Sequence, residues 1–383
     1  MQGSIKQRGD NSWRIRIFTG YDEKGKQLYI TKTVRGKKKD ADAAARAIID
    51  DLGKGLYKKP QKITLAQYMR TYMETTAKLI NALPTQHRYN EIVDLHLAPS
   101  LGAIEIQQLT TTDIRQYYAE ALESGNRQSV GKGLSKRTIL HHHRLLHKIL
   151  EQAVEDNLIA VNPATKKIAP KVDDNAEMNI ITPDEAEIFL KTANSCKYLE
   201  CIKFALQTGM RRGEISACKF SDINWENSTL SINRGLSDIE GIRGERSTKT
   251  RAGRRIIELM PTTMDLLKQA KATQAQNRLF FEEAFTNHDY IFCEANGEPM
   301  HLDALTHSFM WYRNKAGLKI TFHDLRHCHA SYLLAAGVHP KIVSERLGHS
   351  SIQITMDLYS HLLPSLQAAG VAKLQELVGY KIA

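Results

Sequence analysis

The spacing of apolar residues changes twice along this chain, and each change falls on a stretch too poor in apolar residues to carry a core. In residues 4–35 apolar positions alternate, most cleanly in Trp13-Arg14-Ile15-Arg16-Ile17, which is the period of a half-buried strand. Asp22-Glu23-Lys24-Gly25-Lys26 supplies turn chemistry, and Gln27 to Val34 reads as a further strand. Asp40 to Leu52 takes helical spacing, with Asp40 as N-cap and Gly53 as the stop. The glycine- and lysine-rich stretch Gly53 to Pro60 reads as a linker. From Thr64 to Ala164 the spacing is helical in four segments, 64–80, 84–98, 110–123 and 136–157. Thr111-Thr112-Asp113 and Ser135 mark two of their starts. Asn162 to Asn175 loses apolar periodicity and reads as a second linker.

From Ile181 the pattern is mixed. Thr182-Pro183-Asp184-Glu185 opens a helix with proline in its first turn. Thr229 to Asn233 and Arg246 to Thr250 read as strands. A tight turn at Arg251-Ala252-Gly253 leads into Arg254 to Met260, and helices follow at 262–283, 303–316 and from 323 onward. A chain of 383 residues patterned in this way is expected to be mainly α with small β-sheets (α+β), in three domains. These are a β-β-β-α unit at 1–58, a helical bundle at 63–165 and a mixed domain at 178–383.

Charge narrows the partner. The formal net charge is +11. Residues 1–62 hold 16 Lys and Arg against 7 Asp and Glu, so most of the excess sits in the first sixth of the chain. A concentrated positive field favours a polyanion, nucleic acid above all. Lys6, Arg14, Arg16 and Lys32 are expected on one strand face of this unit. The five cysteines are odd in number and form no CxxC pair, which argues against a zinc ribbon and a disulfide scaffold. No apolar run approaches the ~18 residues of a membrane span, and the start carries no secretory signal. The expected location is cytoplasmic.

Four short segments then stand out together. The first is Thr208-Gly209-Met210-Arg211-Arg212-Gly213-Glu214, where a glycine-containing break projects Arg211 and Glu214 can hold it. The second is Thr248-Lys249-Thr250-Arg251, at a hairpin turn. The third is His323-Asp324-Leu325-Arg326-His327, whose His323 and Arg326 share a helix face. The fourth is Leu347-Gly348-His349, with Tyr359 ten residues on. Singly, each has an ordinary explanation: a surface ion pair, a solvated lysine, a helix-face coincidence, a packed tyrosine.

As an ordered set they resemble the catalytic domain of tyrosine recombinases, the family that includes phage integrases, Cre and the Xer resolvases. The resemblance covers residues 178–365 and falls on Arg211, Lys249, His323, Arg326, His349 and Tyr359. Segment 64–165 resembles the family's core-binding domain. The β-β-β-α start more loosely resembles the arm-binding domains of phage and conjugative-transposon integrases. The resemblance implies a site-specific integrase that cuts and rejoins double-stranded DNA through a 3′-phosphotyrosine, with no ATP and no cofactor. Arg211 and Arg326 would clamp the phosphate oxygens with His349 as a further donor. His323 would take the proton of Tyr359, and Lys249 would supply one to the leaving oxygen. The expected assembly is a homotetramer on two duplexes with core and arm sites. A host bending protein or an excision factor would be further partners.

His141-His142-His143 and His147 include an i,i+4 pair, a spacing that can hold zinc, but no HExxH acid accompanies it. With Lys136, Arg137 and Arg144 nearby, a DNA-facing helix and no metal is expected. Three other functions are weighed. A topoisomerase IB-like relaxing enzyme would share the covalent chemistry but has no need of a basic arm module. A DNA-binding regulator explains the charge but not the six residues. A metal-dependent nuclease needs an acidic cluster that the sequence lacks.

Overall fold

The computed structural model describes residues 3–21, 25–53, 62–126, 131–172, 179–239, 242–247, 253–360 and 363–378. The turn read at residues 22–24, most of the linker read at 53–60 and Lys249 lie outside them. The chain divides into two compact units, residues 1–174 and 175–383. The architecture is mostly helical, with small antiparallel sheets.

The first unit opens with an antiparallel sheet, β1 (Gly3–Gly9), β2 (Ser12–Tyr21) and β3 (Gln27–Arg35), backed by helix α1 (Lys38–Gly53). Alternation sends Ile15 and Ile17 inward against Ala41, Ala45 and Ile48 of α1. Asp40 is not the N-cap. It lies in the first turn of α1 and its carboxylate accepts from the Lys37 backbone N–H at 2.8 Å.

The helical part follows as α2 (Leu65–Tyr72), α3 (Lys78–Ile80), α4 (Leu83–Ile92), α5 (Ala98–Leu101), α6 (Thr111–Ser124) and α7 (Lys136–Glu155). Two π-helical turns, Met73–Ala77 and Val93–Leu97, join α2 to α3 and α4 to α5. Capping boxes at Thr64 and Thr110 and the Ser135 N-cap fix three of the starts. Leu65, Met69, Leu97, Ile114, Ile139 and Leu146 pack one core. The second linker begins later than its sequence suggests. Ala164 is fully buried, and Asn162 donates to the His147 carbonyl and the Glu151 carboxylate, at 2.9 and 2.8 Å.

The second unit begins with α8 (Pro183–Thr192), capped by Thr182 and Glu185, and α9 (Leu199–Thr208). After α10 (Arg212–Ser216) come β4 (Ile223–Asn224), β5 (Thr229–Ile232), β6 (Arg234–Ile239), β7 (Ile242–Ser247) and β8 (Arg255–Glu258). Here the strand expectation is corrected. Strand β6 intervenes and pairs with β7, while β8 pairs with β5 in a separate sheet ordered β4-β5-β8. Residues 248–252, which take in the expected turn at Arg251-Ala252 and the end of the expected strand Arg246 to Thr250, lie outside the described residues; β7 and β8 on either side of them belong to different sheets. Helices α11 (Pro261–Phe281), α12 (Leu302–Lys315), α13 (Asp324–Ala335), α14 (Pro340–Leu347), α15 (Ile352–Ser360) and α16 (Leu363–Val378) complete the unit. Its core gathers Phe189, Phe204, Leu267, Phe309 and Cys328.

Candidate active site

Two left-handed glycines build the site's frame. Helix α9 ends on Gly209 at φ +66°, and a Cβ there would stand 2.6 Å from the His329 ring and 2.7 Å from Leu347. Only glycine fits both the conformation and the space. Helix α14 ends the same way on Gly348 at φ +64°. These two turns bring residues near 210 and 348 together.

Arg211 stands at the N-cap of α10. Its guanidinium donates to Glu214 at 2.8 Å and to the Gly348 carbonyl at 3.0 Å. Arg326, on α13 and only 2% exposed, donates to the Gly209 and Leu347 carbonyls. Two consecutive carbonyls of one turn thus hold the two guanidiniums. Each guanidinium keeps unspent N–H donors. Burial, and then the Arg211 charge, pull the pKa of Arg326 down to about 9, which leaves it charged at neutral pH.

Glu214 explains why the cations tolerate each other. It is 5% exposed and accepts from both terminal nitrogens of Arg255. Burial alone would raise its carboxyl, but the Arg255 hydrogen bonds and charge, with Arg211 behind them, hold it down to about 2. Arg255 also donates to the Arg346 carbonyl at 2.7 Å, tying β8 to α14.

The imidazoles are neutral at pH 7. Desolvation in the cleft, then His327 and Arg326, lower His323 to about 4, although the residue stays exposed in the free chain. Burial, then Arg326 and Arg211, lower His349 to about 3. His349 Nδ1 lies 2.8 Å from the hydroxyl of buried Thr355 on α15. Tyr359 lies on α15, which packs against α13 and α14. The structure therefore brings together Arg211, Glu214, Arg326, His323 and His349, and puts Tyr359 on an adjoining helix.

Arg255 was missed from sequence. On a strand it reads as an outward arginine. Yet Arg255, Ile257 and Leu259 share one parity, and Ile257 and Leu259 are buried. Thr355 carried no local signal at all.

The basic residues divide. Lys136, Arg137 and Arg144 are exposed on α7. On the sheet, Lys6 pairs with Arg14, and Arg16 lies between Ser4 and Thr31, so Lys6, Arg14 and Arg16 share the face away from α1. The Arg16 guanidinium lies 3.7 Å from the centre of the Tyr29 ring on that face. Lys32 does not join them. It pairs with Ile15, and its neighbours in parity, Ile30 and Val34, pack on the α1 side.

Two of the clustered histidines are structural. His142 and His143 are buried, with Nδ1 atoms 2.7 and 2.8 Å from the hydroxyls of Tyr117 and Tyr118. His147 meets the Ala164 carbonyl at 2.7 Å. Among the described residues no three His, Cys, Asp or Glu side chains group as metal ligands, and no helix is long and apolar enough to cross a membrane.

Residues 179–365 match the phage integrase family. A relative named tyrosine recombinase XerC-like, from Caldanaerobacter subterraneus, is 26% identical over 389 residues, covering 96% of this chain and 97% of its own. The ICEBs1 integrase of Bacillus subtilis is 23% identical over 381 residues, covering 98% and 100%. Among solved structures, the Tn1549 transposon integrase in complex with a circular intermediate DNA superposes at a TM-score of 0.65 and 21% identity, over 77% of this chain and 94% of that one. A lambda integrase dimer bound to a core site superposes at 0.59 and 18%, over 92% and 93%. These last two are likenesses of fold.

Proposed function

We propose that this chain, whose residues 179–365 belong to the phage integrase family, is a site-specific DNA recombinase that integrates and excises a mobile element or prophage. It cuts and rejoins double-stranded DNA through a 3′-phosphotyrosine on Tyr359. One observation carries the reading: Arg211 and Arg326, 115 positions apart in sequence, are held by adjacent carbonyls of the turn that presents His349. Structural-scaffold roles alone give no reason to collect cations at a single cleft.

The chemistry follows from charge. Attack on phosphorus builds negative charge on the non-bridging oxygens, and the free N–H groups of the two guanidiniums meet it. In the tautomer whose Nδ1 accepts from the Thr355 hydroxyl, His349 keeps its Nε2–H to donate a further bond. A tyrosine at pKa ~10 is about 0.1% ionised at pH 7, so Tyr359 needs a base. Neutral His323 accepts that proton, and Lys249 protonates the leaving 5′-oxygen. The phosphotyrosine conserves the bond energy, so the cycle needs no ATP, and the cations take the place of a metal.

The three-domain division gives each part a task. The open face of the β1–β3 sheet holds arm-type sites, the helical part grips the core site with α7, and the last part cuts. Val371, Leu374 and Leu377 of α16 are exposed apolar residues; they seat on a neighbouring subunit of a tetramer on two duplexes. A host bending protein or an excision factor sets direction. Related chains support the reading: the ICEBs1 and Tn916 proteins are named integrase and transposase, and lambda integrase is seen as a tetramer bound to a Holliday junction.

A nicked suicide duplex tests it. The wild type accumulates a covalent DNA adduct, and Tyr359→Phe binds the same DNA without forming one. An adduct in the Phe variant would overturn the assignment. Relaxation of supercoils with no exchange between two marked duplexes would replace recombinase by topoisomerase.

A further inference from the structure

Of the three consecutive histidines on α7, His142 and His143 turn inward and His141 does not. It lines a cleft of about 390 Å³ between α4 and α7, with Arg88, Tyr89 and Arg144 around it and Ile92 and Leu145 among the lining. Among the described residues no carboxylate lines this cleft. The acidic residue of this stretch of α4, Glu91, is paired with His87 at 3.6 Å. Lys148, one turn beyond Arg144, lies 5.8 Å from the centre of the Tyr89 ring. Arg137 stands one turn before His141. The groups facing His141 are therefore Arg88 from α4 and Arg137 and Arg144 from its own helix, all of one sign.

We propose that this cleft seats one backbone phosphate of the bound duplex, clamped by Arg88 and Arg144, with His141 as a proton-linked third donor. The proposal rests on the reading of the chain as a DNA recombinase and adds to it a residue-level seat. A pocket rimmed by two guanidiniums and free of acid matches a tetrahedral dianion or a phosphodiester in charge and shape. The half-buried imidazole distinguishes this seat from a plain basic surface. Partial burial, then Arg88, Arg144 and Arg137, hold the pKa of His141 below its ordinary value, so it is neutral in the free chain at pH 7. A seated phosphate cancels that repulsion and favours the imidazolium. Binding then takes up a proton from solvent, and the added affinity is present at low pH and lost as pH rises past the bound-state pKa.

The test uses the full chain and a core duplex recovered by sequencing the DNA that the protein binds. Replacing Arg88 and Arg144 together by Ala should reduce the log–log salt slope of binding by about 0.9, the loss of the one phosphate they share. Calorimetry in buffers of different ionisation heat should show proton uptake by the wild type between pH 6 and 7.5, and little by His141→Gln. Replacing single phosphates with neutral methylphosphonates locates the seat: one position should weaken the wild type and leave the double arginine variant unaffected. An unchanged slope in the double arginine variant, or equal proton uptake in His141→Gln, would overturn the seat while DNA binding stands. A wild type that binds no duplex would overturn the recombinase reading itself.

Discussion

Arg255 meets Glu214 through both of its terminal nitrogens, at 3.1 and 2.8 Å, with each side chain less than a tenth exposed. The pair is the counterweight of the site, because the same carboxylate also holds Arg211.

Removing that carboxylate should cost more than a surface pair would. Glu214→Gln leaves Arg255 buried without its charge partner, and such losses run to ~3–5 kcal/mol. Arg211 also loses its anchor, so cleavage should fall along with stability. The pH dependence identifies the cause. The folded carboxyl lies at about 2, below its unfolded value. Its contribution, on the order of 3 kcal/mol, is complete above the unfolded value and disappears as pH falls toward 2. Denaturant unfolding at pH 7 and pH 3 should show the gap between variant and wild type narrowing in acid. A constant gap would mean that the charge is not what matters.

His323 should work as a base well below the usual histidine range. With its pKa near 4 in the free chain, it is neutral, and able to accept a proton, down to about pH 5. The second-order rate of adduct formation reports the free enzyme. Measured against His323→Gln, the advantage of the wild type should stay flat from pH 8 to about 5 and decline only toward 4. A midpoint near 6.5 would show an ordinary imidazole.

Lys249→Ala should cleave ordinary DNA slowly and recover in part on a duplex with a 5′-bridging phosphorothiolate, whose sulfur leaves without a proton. No preferential recovery on the sulfur substrate would remove Lys249 from the general-acid role.

Much of this site was legible in sequence, for a physical reason in each case. Gly209 before Arg211 and Gly348 before His349 are helix stops, and a residue just past a stop projects away from its helix. Glu214, three residues past Arg211, was read as able to hold its side chain; it accepts from the guanidinium and also caps the Arg211 backbone N–H. What stayed hidden depends on three-dimensional context. Arg255 shares the parity of Ile257 and Leu259, but Ile256 on the opposite face blurs that pattern, and Leu236 and Ile239, of opposite parity, gave β6 too faint a one. The π-helical turns change the hydrogen bonding without breaking the helical spacing that sequence reports. Lys32 is different. The parity of Ile30 and Val34 on its own strand already puts it on the α1 side.

Truncation after Pro364 should leave cleavage of a single site measurable and impair assembly on two duplexes, because it deletes exposed Val371, Leu374 and Leu377. Native gels of the two-duplex complex decide this. Intact assembly would mean that α16 has no neighbour to cover.

Deleting residues 1–58 should spare the crossover core and abolish protection of a second class of DNA site. The sheet face with Lys6, Arg14 and Arg16 lies away from α1, as a strand surface entering a major groove must, and the segment carries most of the net charge. Footprinting of full-length and truncated chains on attachment-site DNA should lose the arm footprints alone. Arg14→Ala should mimic the loss and Lys32→Ala should not. Identical footprints that are merely weaker would reduce the segment to a generic electrostatic anchor.

The turn at Leu347 and Gly348, whose carbonyls orient Arg326 and Arg211, also gives the order of synthesis a chemical meaning. Residue 211 leaves the ribosome long before residue 348, and until then Arg211 has only the Glu214 carboxylate and Arg326 only the Gly209 carbonyl. A chain that has not reached residue 348 lacks the turn and Tyr359 alike, so the phosphate clamp and the proposed nucleophile are completed together.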